Sequence, residues 1–314
     1  MQAAGRPPLR GLLIDISGTL HVGSQPTSFA VSALRRLQRA GVPFRLCSNT
    51  SKESTSHVSQ RLRELGFETQ DITRDNVAVN SGQSPREIWT SIGAIAGVMQ
   101  DMGVRRPYAL LSDSARSELH LNPLDEKEEE NTPFDAVIVG LCPARLDYAH
   151  LNTAFRILAR EHPTLSERQP VLIAAHRQPL PRRCFGRAVT RTWTIHRGDR
   201  TCSSRRESSC VVGKPTRAFF EAVIKDLDGH GCITGQRGSS VPQDGRVAII
   251  GDDVESDLGG GACELGLWRV LVRTGKYRSG DDTRTAVPPD EVVDSFAAFV
   301  ENLLSDLNVN GAAV

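Results

Sequence analysis

The stretch LLIDISGTLHV, residues 12 to 22, decides how the rest of the chain is read. An apolar run ends in Asp15 and turns at once through Ser17, Gly18 and Thr19. A run that is apolar on both faces reads as a buried strand of a parallel sheet. A carboxylate at its end stands where open α/β sheets bind ligands, outside the carboxyl ends of the strands.

Further runs share this pattern: VPFRLC, FDAVIVGL, VLIAA, CVVG, RVAIIG and WRVLV. Helical spacing links Val58, Leu62 and Leu65, then Leu151, Ala154, Phe155 and Leu158. It recurs at Phe220, Val223, Ile224 and Leu227, and at Phe296, Val300 and Leu303. Strands alternating with helices predict an α/β protein with a mainly parallel, Rossmann-like sheet.

Composition limits the function classes. The chain has 314 residues, 39% apolar and 24% charged, with a net charge of +1. That balance gives no general argument for nucleic-acid or membrane partners. No apolar run reaches the length of a membrane span. The opening MQAAGRPPLRG lacks the apolar core of a secretory leader, so none is expected. Seven Cys, with no CxxC pair, suggest reduced thiols and a cytoplasmic location.

Three segments break the alternation. DEKEEENT, residues 125 to 132, reads as a solvated acidic loop. ITGQRGSSVPQDGR, residues 233 to 246, reads as a flexible surface loop. Residues 177 to 206 hold nine Arg and one Asp without apolar periodicity. They read as an arginine-rich loop or as mistranslated or mis-spliced sequence, ahead of a nucleic-acid patch.

The polar residues at strand ends form one inventory. Asp15 and Ser17 follow the first strand; Ser48, Asn49 and Thr50 follow VPFRLC. Lys214 follows CVVG, and Asp252, Asp253 and Asp257 follow RVAIIG. This set suits phosphoryl transfer through an aspartyl phosphate. A hard cation with oxygen ligands offsets the repulsion between carboxylate and phosphate. A lysine and a hydroxyl stabilise the equatorial oxygens. GKP is not a P-loop, because the upstream GxxxxG is missing.

On LLIDISGTLHV, LCSNTSKES, VVGKPTRAFFEAV, IIGDDVESDLGGG and TGKYR, the chain resembles the haloacid dehalogenase superfamily of hydrolases. The resemblance covers most of residues 9 to 305. It implies a discontinuous core, residues 9–81 and 209–305, an inserted α/β cap, 82–208, and a flexible tail, 306–314. It implies that Asp15 is the nucleophile and a Mg²⁺ ligand. Ser17 would lend the metal its backbone carbonyl and border the substrate. Ser48, Asn49 and Lys214 would hold the phosphoryl group, with Lys214 also neutralising Asp15. Asp252 would bind Mg²⁺, and Asp257 would support the metal shell or Lys214. Asp253 would lie on the substrate side; alternatively, Asp253 or Asp257 would cap a helix starting near Ser256. The substrate would be a small phosphorylated molecule or a phosphorylated side chain, and a homodimer is left open.

Most of that superfamily carries a second Asp two residues after the nucleophile, as a general acid. Ser17 cannot play that part near neutral pH, and such help is typically worth about 10²–10⁴-fold. The expectation is a phosphatase selective for good leaving groups, such as pyrophosphate or a phosphoramidate nitrogen. The alternatives are a catalytically weak phosphate-binding protein of the same fold and a receiver-like domain phosphorylated on Asp. The family's Gly-rich turn and apolar helix after IAAH are missing from residues 177 to 206.

Overall fold

The computed structural model describes residues 5–69, 86–123, 125–176, 209–230 and 244–311. Its strands are β1 (Leu9–Asp15), β2 (His21–Val22), β3 (Gln25–Pro26), β4 (Phe44–Ser48), β5 (Ile88–Thr90), β6 (Pro107–Leu110), β7 (Ala136–Val139), β8 (Val171–Ala174), β9 (Ser209–Val211), β10 (Arg246–Gly251), β11 (Trp268–Val272) and β12 (Glu291–Val293). Its helices are α1 (Ala30–Arg39), α2 (Thr55–Glu64), α3 (Ser91–Met102), α4 (Asp113–Glu118), α5 (Glu126–Asn131), α6 (Tyr148–Leu158), α7 (Arg217–His230), α8 (Gly261–Glu264), α9 (Asp281–Arg284) and α10 (Phe296–Gly311).

Six strands form one parallel sheet in the order β12-β11-β10-β1-β4-β5. Side chains alternate between its faces. Leu12 and Ile14 point into a core shared with Leu34 and Leu37 of α1 and with Phe296 and Phe299 of α10. Leu13 points the other way, against Phe220, Val223 and Leu227 of α7. Both faces are therefore covered, which explains why the strand sequences are predominantly apolar. One polar intrusion is satisfied internally. Arg45 on β4 has a fully buried side chain and donates from Nε to Asp226 Oδ2 of α7 at 2.6 Å.

A second, four-stranded parallel sheet runs β6-β7-β8-β9. Ile138 and Ile173 face Ile92 and Ile95 of α3, while Val137 and Leu110 face Ala154 and Ile157 of α6. This is the α/β architecture expected, with each of the seven apolar runs forming a strand.

Several details differ from the sequence reading. Ile88–Thr90, expected in the cap, pairs with β4 in the six-stranded sheet. Ser209–Val211, expected in the core, pairs with β8 in the four-stranded sheet. The acidic run at 125–132 is largely helix α5. Asp125 Oδ1 accepts from Glu128 N–H at 2.7 Å, and Glu128 Oε2 accepts from Asp125 N–H at 3.0 Å. That reciprocal cap places carboxylates at the positive end of the helix. Helix α10 continues to Gly311, into the expected tail, because Leu304 and Leu307 still pack on the core. Among the described residues, Cys47, Cys142 and Cys263 are free. Residues 177–206, and most of 233–246, lie outside the described residues. Among the described residues, no helix is long and apolar enough to cross a membrane.

Candidate active site

Strand β1 lies between β10 and β4, all parallel, so their carboxyl ends share one edge. Asp15 ends β1 beside Cys47 of β4, and Asp252 follows Gly251 at the end of β10. Asp257 returns to the same point through a turn at residues 254–258. Oxygen atoms of Asp15, Asp252 and Asp257 lie within 4.8 Å of one another, and all three residues are buried.

Lys214 enters from the other sheet, just past β9. Its side chain is fully buried, and Nζ reaches Asp15 Oδ1 at 2.5 Å and Asp257 Oδ1 at 2.8 Å. The Cys47 carbonyl accepts from the same Nζ at 3.4 Å. Asn49 holds the lysine's backbone at both ends. Its Oδ1 accepts from Lys214 N–H, and its Nδ2 donates to the Lys214 carbonyl, both at 2.8 Å.

Charge in this site is unbalanced. Burial, then Asp257, pushes the Asp15 carboxyl up to about 8, although Lys214 pulls it down. Burial, then Asp257, pushes Asp252 up to about 6. Burial disfavours the Lys214 ammonium, but Asp15 and Asp257 outweigh it and hold its pKa above the usual lysine value. Once all three carboxylates ionise, the single ammonium leaves two negative charges unmatched. A divalent cation with a preference for oxygen ligands fits that deficit. A soft-metal site does not fit, because burial pushes the neighbouring Cys47 thiol up to about 12.

The remaining expected residues are placed differently. Ser48 is buried, and its Oγ accepts from Thr50 N–H at 3.1 Å. Ser17 is exposed beside the edge, in a bridge with His21. Asp253 points away from the triad. Its Oδ1 accepts from Glu255 and Ser256 N–H, each at 3.0 Å, and its Oδ2 from Lys276 Nζ at 3.2 Å. Burial raises its pKa, yet the Ser256 N–H and Lys276 outweigh this and lower it. No helix starts at Ser256, so Asp253 caps a turn instead.

Several contributors were given no role of their own in the sequence reading. Thr19 is fully buried and its Oγ1 donates to Asp15 Oδ2 at 3.4 Å. Lys276 N–H donates to Asp252 Oδ2 at 2.6 Å, and Thr274 Oγ1 to the Gly18 carbonyl at 2.6 Å. Gly18 (φ +98°) and Gly275 (φ +57°) pack on Asp252 so closely that a Cβ would lie 1.9 and 2.0 Å from its Oδ2. The small-residue turns SGT and TGK were the available signal.

Comparison with known proteins agrees with this geometry. A family model described as haloacid dehalogenase-like hydrolase matches residues 12–122, and one described as HAD-hydrolase-like matches residues 211–299. The human haloacid dehalogenase-like hydrolase domain-containing protein 2 is 32% identical over 299 residues, covering 95% of this chain and 97% of that protein. The human phospholysine phosphohistidine inorganic pyrophosphate phosphatase is 28% identical over 302 residues, covering 94% of each. A solved 4-nitrophenylphosphatase of Thermotoga maritima shares the fold, with a TM-score of 0.66 and 18% identity over 93% of this chain and 97% of that one. The chain thus belongs to the haloacid dehalogenase-like hydrolases.

Proposed function

We propose that this protein is a Mg²⁺-dependent phosphatase that acts through an aspartyl phosphate on Asp15. The observation that carries the reading is the buried Asp15–Lys214–Asp257 contact beside Asp252, at one sheet edge. Asp15, Asp252 and Asp257 would hold Mg²⁺, with the Ser17 carbonyl, and the bound ion would supply charge neutralisation between carboxylate and phosphoryl oxygens. Lys214 stays protonated and orients Asp15 through Oδ1, leaving Oδ2 to attack phosphorus. Thr19 steadies that second oxygen. Ser48, at the end of β4, borders the same edge and is assigned to the phosphoryl oxygens. Asn49 contributes by fixing Lys214, since its amide is engaged on the lysine backbone. Asp253 orients Lys276 at the rim.

Ser17 supplies no acid for the leaving group, so good leaving groups are favoured. One relative is named for pyrophosphate, phospholysine and phosphohistidine, which are substrates of that kind. The test is phosphate release from p-nitrophenyl phosphate, pyrophosphate, phosphohistidine and a sugar phosphate, with Asp15→Asn and EDTA as controls. Release abolished by both controls, with the sugar phosphate slowest, supports the reading. No release from folded protein would favour a phosphate-binding role instead.

A further inference from the structure

His176 follows β8 by two residues, at the end of the second sheet nearest the site. The Ala175 carbonyl accepts from Gly213 N–H at 2.9 Å, so this strand end lies against the turn that carries Lys214. The packing is tight: a Cβ on Gly213 would sit 2.6 Å from the Ala175 oxygen and 2.7 Å from Asn49 Oδ1. The charge of Lys276 also reaches His176; the N–H of Lys276 holds Asp252 and its ammonium pairs with Asp253. His176 therefore lies next to the Lys214 turn and within electrostatic reach of Lys276. Its Nδ1 is buried and has no hydrogen-bond partner among the described residues. A buried polar nitrogen without a partner is unfavourable unless a ligand fills it.

We infer that His176 contacts the substrate, its Nδ1–H hydrogen-bonding the leaving-group oxygen of the phosphoester. Burial, then the Lys276 charge, holds the ring below the ordinary histidine range, so it is neutral at pH 7 and donates a hydrogen bond without losing a proton. An Asp15 oxygen forms a bond to phosphorus as the bond from phosphorus to the leaving oxygen breaks. The electron pair stays on that oxygen, which is stabilised by the imidazole N–H and takes its proton from solvent. Water then attacks phosphorus, releasing inorganic phosphate and restoring the Asp15 carboxylate. His176 thus supplies part of what Ser17 cannot, from the other sheet.

This assignment rests on the phosphatase reading, and the test separates the two. kcat/KM is measured for p-nitrophenyl, phenyl and alkyl phosphates with the parent chain, His176→Asn and His176→Gln. The Asn amide can take the place of Nδ1, whereas the longer Gln amide takes the place of Nε2. His176→Gln should lose about threefold or less on the p-nitrophenyl ester and about tenfold or more on the phenyl and alkyl esters, the worth of one hydrogen bond. His176→Asn should keep the parent's dependence on leaving-group pKa. A merely structural role would lower all esters alike in both variants, and that result, or no loss in either, overturns the assignment alone. No Asp15-dependent release by the parent chain overturns the phosphatase reading, and the assignment with it.

Discussion

Replacing Lys214 by Met separates the stability of the site from its chemistry. One ammonium contacts two carboxylates, Asp15 at 2.5 Å and Asp257 at 2.8 Å, and its side chain is completely buried. Removing the cation leaves both carboxylates, with Asp252 beside them, in a site that already carries excess negative charge. Breaking a buried pair by deleting one partner costs about 3–5 kcal/mol. In a chain of this size that is on the order of 5–15 °C in Tm. Asp15→Asn should behave in the opposite way. It keeps the shape, leaves the Lys214–Asp257 pair, and puts a neutral group where burial already favours the uncharged acid. Thermal unfolding in EDTA at pH 7 should therefore show Lys214→Met well below the parent and Asp15→Asn equal to it or above. Both variants should lose phosphate release. Lys214→Met as stable as the parent, or Asp15→Asn as damaged as Lys214→Met, would refute the charge argument.

Three further outcomes follow from the same geometry. Gly18→Ala puts a Cβ against Asp252 Oδ2 at a φ of +98°; strain of about 1–3 kcal/mol should weaken Mg²⁺ binding about tenfold or more by calorimetry. Asn49→Ala frees the Lys214 backbone, and chemical denaturation should show a loss of about 1–3 kcal/mol, with kcat falling more than KM changes. In metal-free protein, Asp15 at about 8 and Asp252 at about 6 stand above their usual 3.8. The folded state then holds more protons than the unfolded state between about pH 4 and pH 8, so stability falls as pH rises through that window. Mg²⁺ binds the ionised carboxylates, so the Tm gain on adding it should be larger at pH 8 than at pH 5.

The four central strands of the large sheet were legible because helices cover both of its faces, which favours apolar residues at nearly every position. Ile88–Thr90 and Pro107–Leu110 were not, since each is short and neither stands out as an apolar run. Helix α3 carries Gly93 and Gly97, which dilute its periodicity. The carboxylates of the site were legible because each follows an apolar strand. The clamp of Asn49 on Lys214 was not, because it joins residues 165 positions apart and uses backbone groups that any residue carries. Asp253 shows the limit of a motif: adjacent to Asp252 in sequence, it faces the Lys276 side and caps a turn. The acidic run at 125–132 misled because charge alone suggested a loop, whereas the spacing of Asp125 and Glu128 closes a helix end.

The most direct test of the central claim is to trap the covalent intermediate. Protein turning over p-nitrophenyl phosphate in Mg²⁺ is quenched in acid, reduced with borohydride and digested. Reduction converts an aspartyl phosphate to homoserine, which peptide mass analysis locates. Homoserine at position 15, dependent on substrate and Mg²⁺ and absent from Asp15→Asn, is the result predicted. Full phosphate release without label at Asp15, or label on another carboxylate, would contradict it.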